Sequence, residues 1–192
     1  MAEQTMEQLT IVTTEPTEHW CRKMRTHFRS SVGTKGYITK EGVMQSALAT
    51  LEAYPELDAE ELKEHARKTW IQDLNCGMDP PAGYRLTEAQ FVQNMWVMVN
   101  QPSFKERTSK MTTKAMQQLD KTNKGYVTKD EYLRMTRKLV KEEDLRRIFD
   151  ALDETKQGKV TRDNMERAYL HFFTNTDDTE HPFNLLRGPL VD

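Results

Sequence analysis

Asp120 and Glu131 close the two ends of a twelve-residue stretch, Asp-Lys-Thr-Asn-Lys-Gly-Tyr-Val-Thr-Lys-Asp-Glu, whose residue types suit the capture of a hard divalent cation. Numbered from Asp120, the stretch offers side-chain oxygens at Asp120 and Thr122, the backbone carbonyl of Tyr126, Thr128 through a water, and both carboxylate oxygens of Glu131. Calcium takes six to eight such oxygens, and a loop of this length supplies them from positions 1, 3, 5, 7, 9 and 12. Gly125 at position 6 permits the sharp turn the wrap requires. Position 5 breaks the pattern: Lys124 brings an ammonium where an oxygen is expected. At about 4–5 Å from a dication it would repel by several kcal/mol at an effective dielectric near 20. With Asp120 and Glu131 against Lys124, the ligand positions sum to a formal charge of -1.

Asp153–Asn164 repeats the outline. Asp153, Thr155, Gln157, the backbone carbonyl of Lys159 and Asn164 fall at ligand positions, and Val160 takes the aliphatic position 8 that Val127 holds in the first stretch. Asn164 at position 12 has one oxygen and no charge, so this site is expected to be the weaker of the two. Two further loops keep the frame without the ligands. In Ser31–Gly42, Gly36 and Ile38 hold positions 6 and 8, but Ser31, Gly33, Lys35 and Gly42 stand at 1, 3, 5 and 12. In Asp79–Gln90, Leu86 holds position 8, Pro81 offers no side-chain oxygen and Gln90 no carboxylate. Both are expected to be metal-free.

Elements that could position these loops are legible on either side. Trp20, Met24 and Phe28 recur at intervals of four from a helix starting near Thr17, and Val43, Ala47 and Leu51 continue after the loop. Asp58-Ala-Glu-Glu61 resembles a helix cap, and Leu62, Ala66, Trp70 and Leu74 form the stripe behind it. Phe91, Met95 and Met98 follow the second loop; Met116 and Leu119 precede the third, with Tyr132, Met135 and Leu139 after it. Leu145, Ile148, Phe149 and Leu152 enter the fourth, and Met165, Ala168, Tyr169 and Phe172 leave it. Four helix–loop–helix units at roughly forty-residue spacing are an internal repeat. They predict an all-α chain: an arm at 1–16, a first pair at 17–99, a hinge at 100–104 around Pro102, a second pair at 105–173 and a closing segment at 174–192.

Composition excludes several classes. Of the 192 residues, 36% are hydrophobic and 30% charged, and the net charge of -2 argues against nucleic acid as a partner. No stretch approaches the ~18 apolar residues of a membrane span, and no secretory signal is expected at Met1–Thr14. Cys21 and Cys76 read as reduced thiols of a cytoplasmic protein. The histidines show no zinc spacing, and no nucleophile or nucleotide motif occurs, so no enzyme is expected.

These features together resemble the sarcoplasmic calcium-binding protein family, which includes the calexcitins and is related to the calcium-regulated photoproteins and luciferin-binding proteins. The resemblance spans residues 18–192 and rests on the four units, the Gly/Pro-rich loop after Trp70, the Asn100-Gln-Pro102 hinge, and the ending Asn184-Leu-Leu-Arg-Gly-Pro-Leu190. It implies a compact globule of four EF-hands in two pairs, with the C-terminal segment folded back across the helices. It also implies an intracellular calcium buffer or signalling protein, a monomer, with calcium as the ion. The chain departs from the family at Ser31, Gly42, Lys124 and Asn164, so at most one or two weak sites are expected. Photoproteins and luciferin-binding proteins enclose an aromatic ligand between the pairs, which suggests a cavity for a small apolar molecule lined by Trp20, Trp96, Met98 and Phe172. The photoprotein His-Trp-Tyr triad maps without gaps onto Ala168, Phe172 and Leu186; none is retained, and light emission is not expected. A protein-interaction scaffold is the third reading. Met95, Met98, Met116, Met135 and Met165 fall on inner faces and read as core.

Overall fold

The computed structural model describes residues 15–32, 35–53, 58–120, 122–136, 142–177 and 179–190. Sequence readings at 1–14, Gly33 and 137–141 lie outside them, as do the side chains of Leu119 and Met135.

The predicted stripes become the buried faces of eight α-helices among the described residues: α1 Glu18–Val32, α2 Lys40–Ala53, α3 Ala59–Lys68, α4 Glu88–Val99, α5 Phe104–Leu119, α6 Lys129–Thr136, α7 Glu142–Leu152 and α8 Arg162–Thr174. Trp20, Met24 and Phe28 are essentially inaccessible, as are Leu145, Ile148, Phe149 and Leu152. Burying each such side chain contributes about 1.5–3 kcal/mol. The chain turns after α4 at Asn100–Ser103, and Phe104 already opens α5, at the last residue of the expected hinge.

Position 8 does the pairing. In strands β1 (Tyr37–Ile38) and β2 (Leu86–Thr87) Ile38 faces Leu86, and in β3 (Tyr126–Thr128) and β4 (Lys159–Thr161) Val127 faces Val160, both pairs antiparallel. Each pairing ties two loops back to back, so a unit's entry and exit helices are fixed against those of its partner. Asp58 caps α3, its carboxylate accepting from the Glu61 N–H at 2.8 Å. The stripe behind it is not one continuous α-helix. After Lys68 the backbone widens into a π-helical turn, Thr69–Leu74, secured by the buried Asn75, whose amide donates to the Trp70 carbonyl at 2.8 Å.

Two cores result. One gathers Trp20, Met24, Phe28, Trp70, Leu86 and Phe91; the other gathers Val127, Tyr132, Leu145, Phe149, Leu152 and Val160. Helix α8 serves both, with Met165 and Ala168 in the second and Phe172 and Phe173 in the first. The closing segment folds onto them: Phe183, in a 3-10 turn at Pro182–Leu185, is buried in the second core and Leu186 touches both. Met95, Met98, Met116 and Met165 are buried. Among the described residues no helix is long and apolar enough to cross a membrane, and the exposed large apolar side chains are Leu48 and Met78.

Candidate functional site

The third loop folds onto itself. Asp120 accepts the Lys124 N–H at 3.1 Å and the Gly125 N–H at 2.6 Å, with the Thr122 hydroxyl at 3.4 Å. Asp120 is buried, but these donors hold its carboxyl below the usual range against that burial. Gly125 takes φ +83°, a left-handed conformation that glycine adopts without strain. Glu131 is fully engaged. The Lys124 ammonium lies 2.6 Å from one of its oxygens and 2.8 Å from the other, and Thr128 donates to the second from both N–H and hydroxyl at 2.8 Å. The Lys124 hydrogen bond, followed by the two from Thr128, pulls the Glu131 carboxyl down to about 2.

In the fourth loop Asp153 accepts from the Gln157 and Gly158 N–H groups at 3.1 and 2.6 Å, and from Thr155 at 3.4 Å. The Asn164 oxygen accepts from the Thr161 N–H and hydroxyl at 3.0 and 2.6 Å. Position 12 is thereby turned into the far half of a helix cap. Gln90 does the same to Thr87, at 3.0 and 2.9 Å. A signal visible in the sequence explains this. Position 9 is threonine in all four loops (Thr39, Thr87, Thr128 and Thr161), and each hydroxyl accepts an N–H three residues on to start the exit helix. Among the described residues no three His, Cys, Asp or Glu side chains converge to hold a metal. The donor set of the third loop, bridged by an ammonium, does not fit a hard dication.

The larger feature is a cavity of about 1030 Å³. The first hand pair forms most of its wall, and α5, Phe173 of α8 and Arg187 of the closing segment complete it. The floor is apolar: Phe91, Met95 and Met98 of α4, Phe104 of α5, and Phe173. Of the four side chains expected here, Met98 lines the cavity. Trp20, Trp96 and Phe172 do not. Trp20 and Phe172 are wholly buried in the core, where Trp20 meets Trp96 edge to face at 4.9 Å and donates to the Phe173 carbonyl at 2.6 Å. Nor is the cavity sealed; its rim reaches residues as polar as Lys35, Gln45 and Lys110. His27 contributes a polar group to the wall, its ring between Phe91 and Phe173 at 5.4 and 5.9 Å and its Nδ1 buried without a hydrogen bond. Burial, followed by repulsion from Arg187, holds this imidazole well below its ordinary pKa, so it is neutral.

The wall also carries cations that sequence spacing did not reveal, because they come from distant segments. Arg107 pairs with Asp73, and Lys114 with Glu61 at 2.7 Å. Lys35, Arg85 and Arg187 line the cavity with no carboxylate partner among the described residues; Arg85 lies over the Tyr37 ring at 4.5 Å. An apolar floor beneath these cations suits an amphiphile with a negative end.

No family model matches the chain. The cell division control protein 31 of Schizosaccharomyces pombe is 34% identical over 71 residues, which are 35% of this chain and 40% of that protein, so the chain matches about two fifths of the curated relative. The crystal structure of okadaic acid binding protein 2.1 superposes with a TM-score of 0.85 at 38% identity, over 93% of this chain and all of that one. Coelenterazine-binding protein of Renilla muelleri, in its calcium-loaded apo form, gives 0.57 at 21% identity over 91% of this chain and 99% of that one. A sarcoplasmic calcium-binding protein from amphioxus gives 0.63 at 10% identity over 92% of this chain and all of that one. The fold is thus the all-α EF-hand fold that the resemblance implied.

Proposed function

The chain belongs to the EF-hand protein family of okadaic acid binding protein 2.1, and from that premise we propose that it binds a small amphiphile, apolar along its body and anionic at one end, in the cavity beside the first hand pair. The observation that carries the reading is the cavity itself, large enough for a drug-sized molecule, with an apolar floor and with Lys35, Arg85 and Arg187 on its wall, which have no carboxylate partner among the described residues. Neutral His27 adds a polar group for orientation. The names of two relatives, an okadaic acid binding protein and a coelenterazine-binding protein, support small-molecule binding over buffering. They also support a binding protein over an enzyme. In this reading the four loops are scaffold, and the self-engaged Asp120–Glu131 stretch supports placing ion buffering second. A cytoplasmic monomer remains the expected state of the protein.

Isothermal titration with okadaic acid and with its methyl ester tests this. Saturable one-to-one binding of the acid is expected, weakened about tenfold or more in the ester and in Arg187→Gln, the size of one charge-assisted hydrogen bond. Met98→Trp, which fills the floor, should abolish binding while leaving the helical circular dichroism intact. Binding that survives Met98→Trp undiminished would place the ligand elsewhere.

A further inference from the structure

Calcium is the ion this fold is built to hold, yet in the third hand the place between its ligands is taken. We propose that the Lys124 ammonium is the resident cation of that hand, bridging Glu131 as a metal would and keeping the hand in one shape without any ion.

Glu131 is the residue that gives a calcium ion two oxygens at once, and the ammonium sits 2.6 and 2.8 Å from those same two oxygens. Lys124 also holds the opposite end of the loop, since its N–H donates to Asp120 at 3.1 Å. One residue therefore joins position 1 to position 12, the closure a metal otherwise supplies. The group is three-quarters sheltered, with 24% of its side chain and 25% of the Glu131 side chain exposed, so the pair is less open to salt than a surface bridge. A related substitution occurs in the second loop. Its first ligand position, Asp79, receives the Lys40 ammonium at 2.9 and 3.2 Å, and Lys40 comes from the exit helix of the first hand.

Calcium could enter the third loop only by expelling a tethered ammonium, which cannot diffuse away and stays to repel it. The ammonium is intramolecular, so its effective concentration far exceeds that of a free ion. Removing the charge and adding a carboxylate at position 5 should therefore create a calcium site in a loop whose other ligands are already in sequence: Asp120, Thr122, Tyr126 carbonyl and Glu131.

The test is calorimetric titration of calcium into the full chain and into Lys124→Asp and Lys124→Ser, each checked for folding by circular dichroism, with thermal melts in calcium and in chelator. The wild type should show no saturation below about 1 mM and a melting temperature indifferent to calcium. Lys124→Asp should gain at least about 100-fold in affinity, melt higher with calcium, and lose both gains when combined with Glu131→Gln. Lys124→Ser should lie between them, and it decides the matter should the aspartate variant fail to fold. Saturable binding by the wild type below about 1 mM overturns the proposal. A folded Lys124 variant that binds no better than wild type overturns it as well.

Discussion

Replacing His27 by phenylalanine should remove a defined pH dependence from the stability of the protein. The imidazole lies among the rings of Phe91, Phe172 and Phe173, at 5.4, 6.3 and 5.9 Å, with Nδ1 buried and unbonded. Burial holds its pKa well below 6.5, and Arg187, the charged group facing it from the closing segment, lowers it further. The folded chain thus stays unprotonated while the unfolded chain takes up a proton near pH 6.5. Between the two pKa values the unfolded state carries one more proton, so stability falls by about 1.4 kcal/mol for each pH unit of acidification. The loss begins as pH falls through the unfolded value near 6.5 and continues down to the folded one, and above pH 7 the contribution is constant. Urea unfolding of wild type and His27→Phe at pH 7.5, 6 and 5 measures it, because the other four histidines are common to both proteins and cancel in the difference. The variant should gain on the wild type as pH falls. Arg187→Gln, which removes the repulsion but not the burial, should keep most of the slope and shift its lower end upward. A difference between wild type and His27→Phe that does not change from pH 7.5 to 5 would refute the account, since it would mean the ring gains its proton as easily folded as unfolded.

Two substitutions test how the fold is held. Phe172→Ala removes a wholly buried ring where α8 enters the first core and should cost about 3–5 kcal/mol in urea unfolding; a loss below about 1 kcal/mol would mean α8 does not join the two halves. Gly125→Ala meets no atom within 4 Å but must adopt φ +83°, so its cost is backbone strain alone, about 1–2 kcal/mol, and a neutral outcome would show the loop free to leave that turn.

How far the sequence reached depended on whether a feature was local. The hand frames were legible because position 8 is aliphatic and glycine sits two residues before it in three of the four loops. Ile38, Leu86, Val127 and Val160 then pair as two strands that no single loop could form alone. The self-engagement of the third loop was half legible: Lys124 stood out as a misplaced charge, but that it would turn inward onto Glu131, rather than swing into solvent, depended on seven residues of backbone bending. The repeated threonine at position 9 was present throughout and explains why Gln90 and Asn164 are absorbed in caps. The π-helical turn at Thr69–Leu74 left no trace in the stripe, because Trp70 and Leu74 stay on the inner side whether the turn is tight or wide. The cavity was the least legible. Helical phase places Trp20, Met98 and Phe172 on inner faces equally, and it cannot say which inner face meets a side chain and which meets space. The cations of the wall come from the first loop, the second loop, α5 and the closing segment, so no window of sequence holds them together.

The two sites bear on one another through the stiffness of the scaffold. A binding protein gains affinity when its cavity exists before the ligand arrives, because less conformational freedom is lost on binding. The cavity wall hangs on α1, α2 and α4, whose relative positions are set by the Ile38–Leu86 pairing and by caps at Thr39 and Thr87 that need no ion. On the far side α5 runs directly into Asp120, so the third loop sets where α5 ends and α6 begins. A loop gated by calcium would let α5 move with the ion, and with it Phe104, Arg107 and Met111 on the cavity wall. A loop closed by its own lysine holds them still. Affinity for the amphiphile should accordingly be the same in calcium and in chelator for the wild type, and should become calcium-sensitive in Lys124→Asp. If ligand affinity in that variant stayed indifferent to a calcium ion it demonstrably binds, the third loop and the cavity would be mechanically independent, and the stiffness of the wall would have to come from the first hand pair alone.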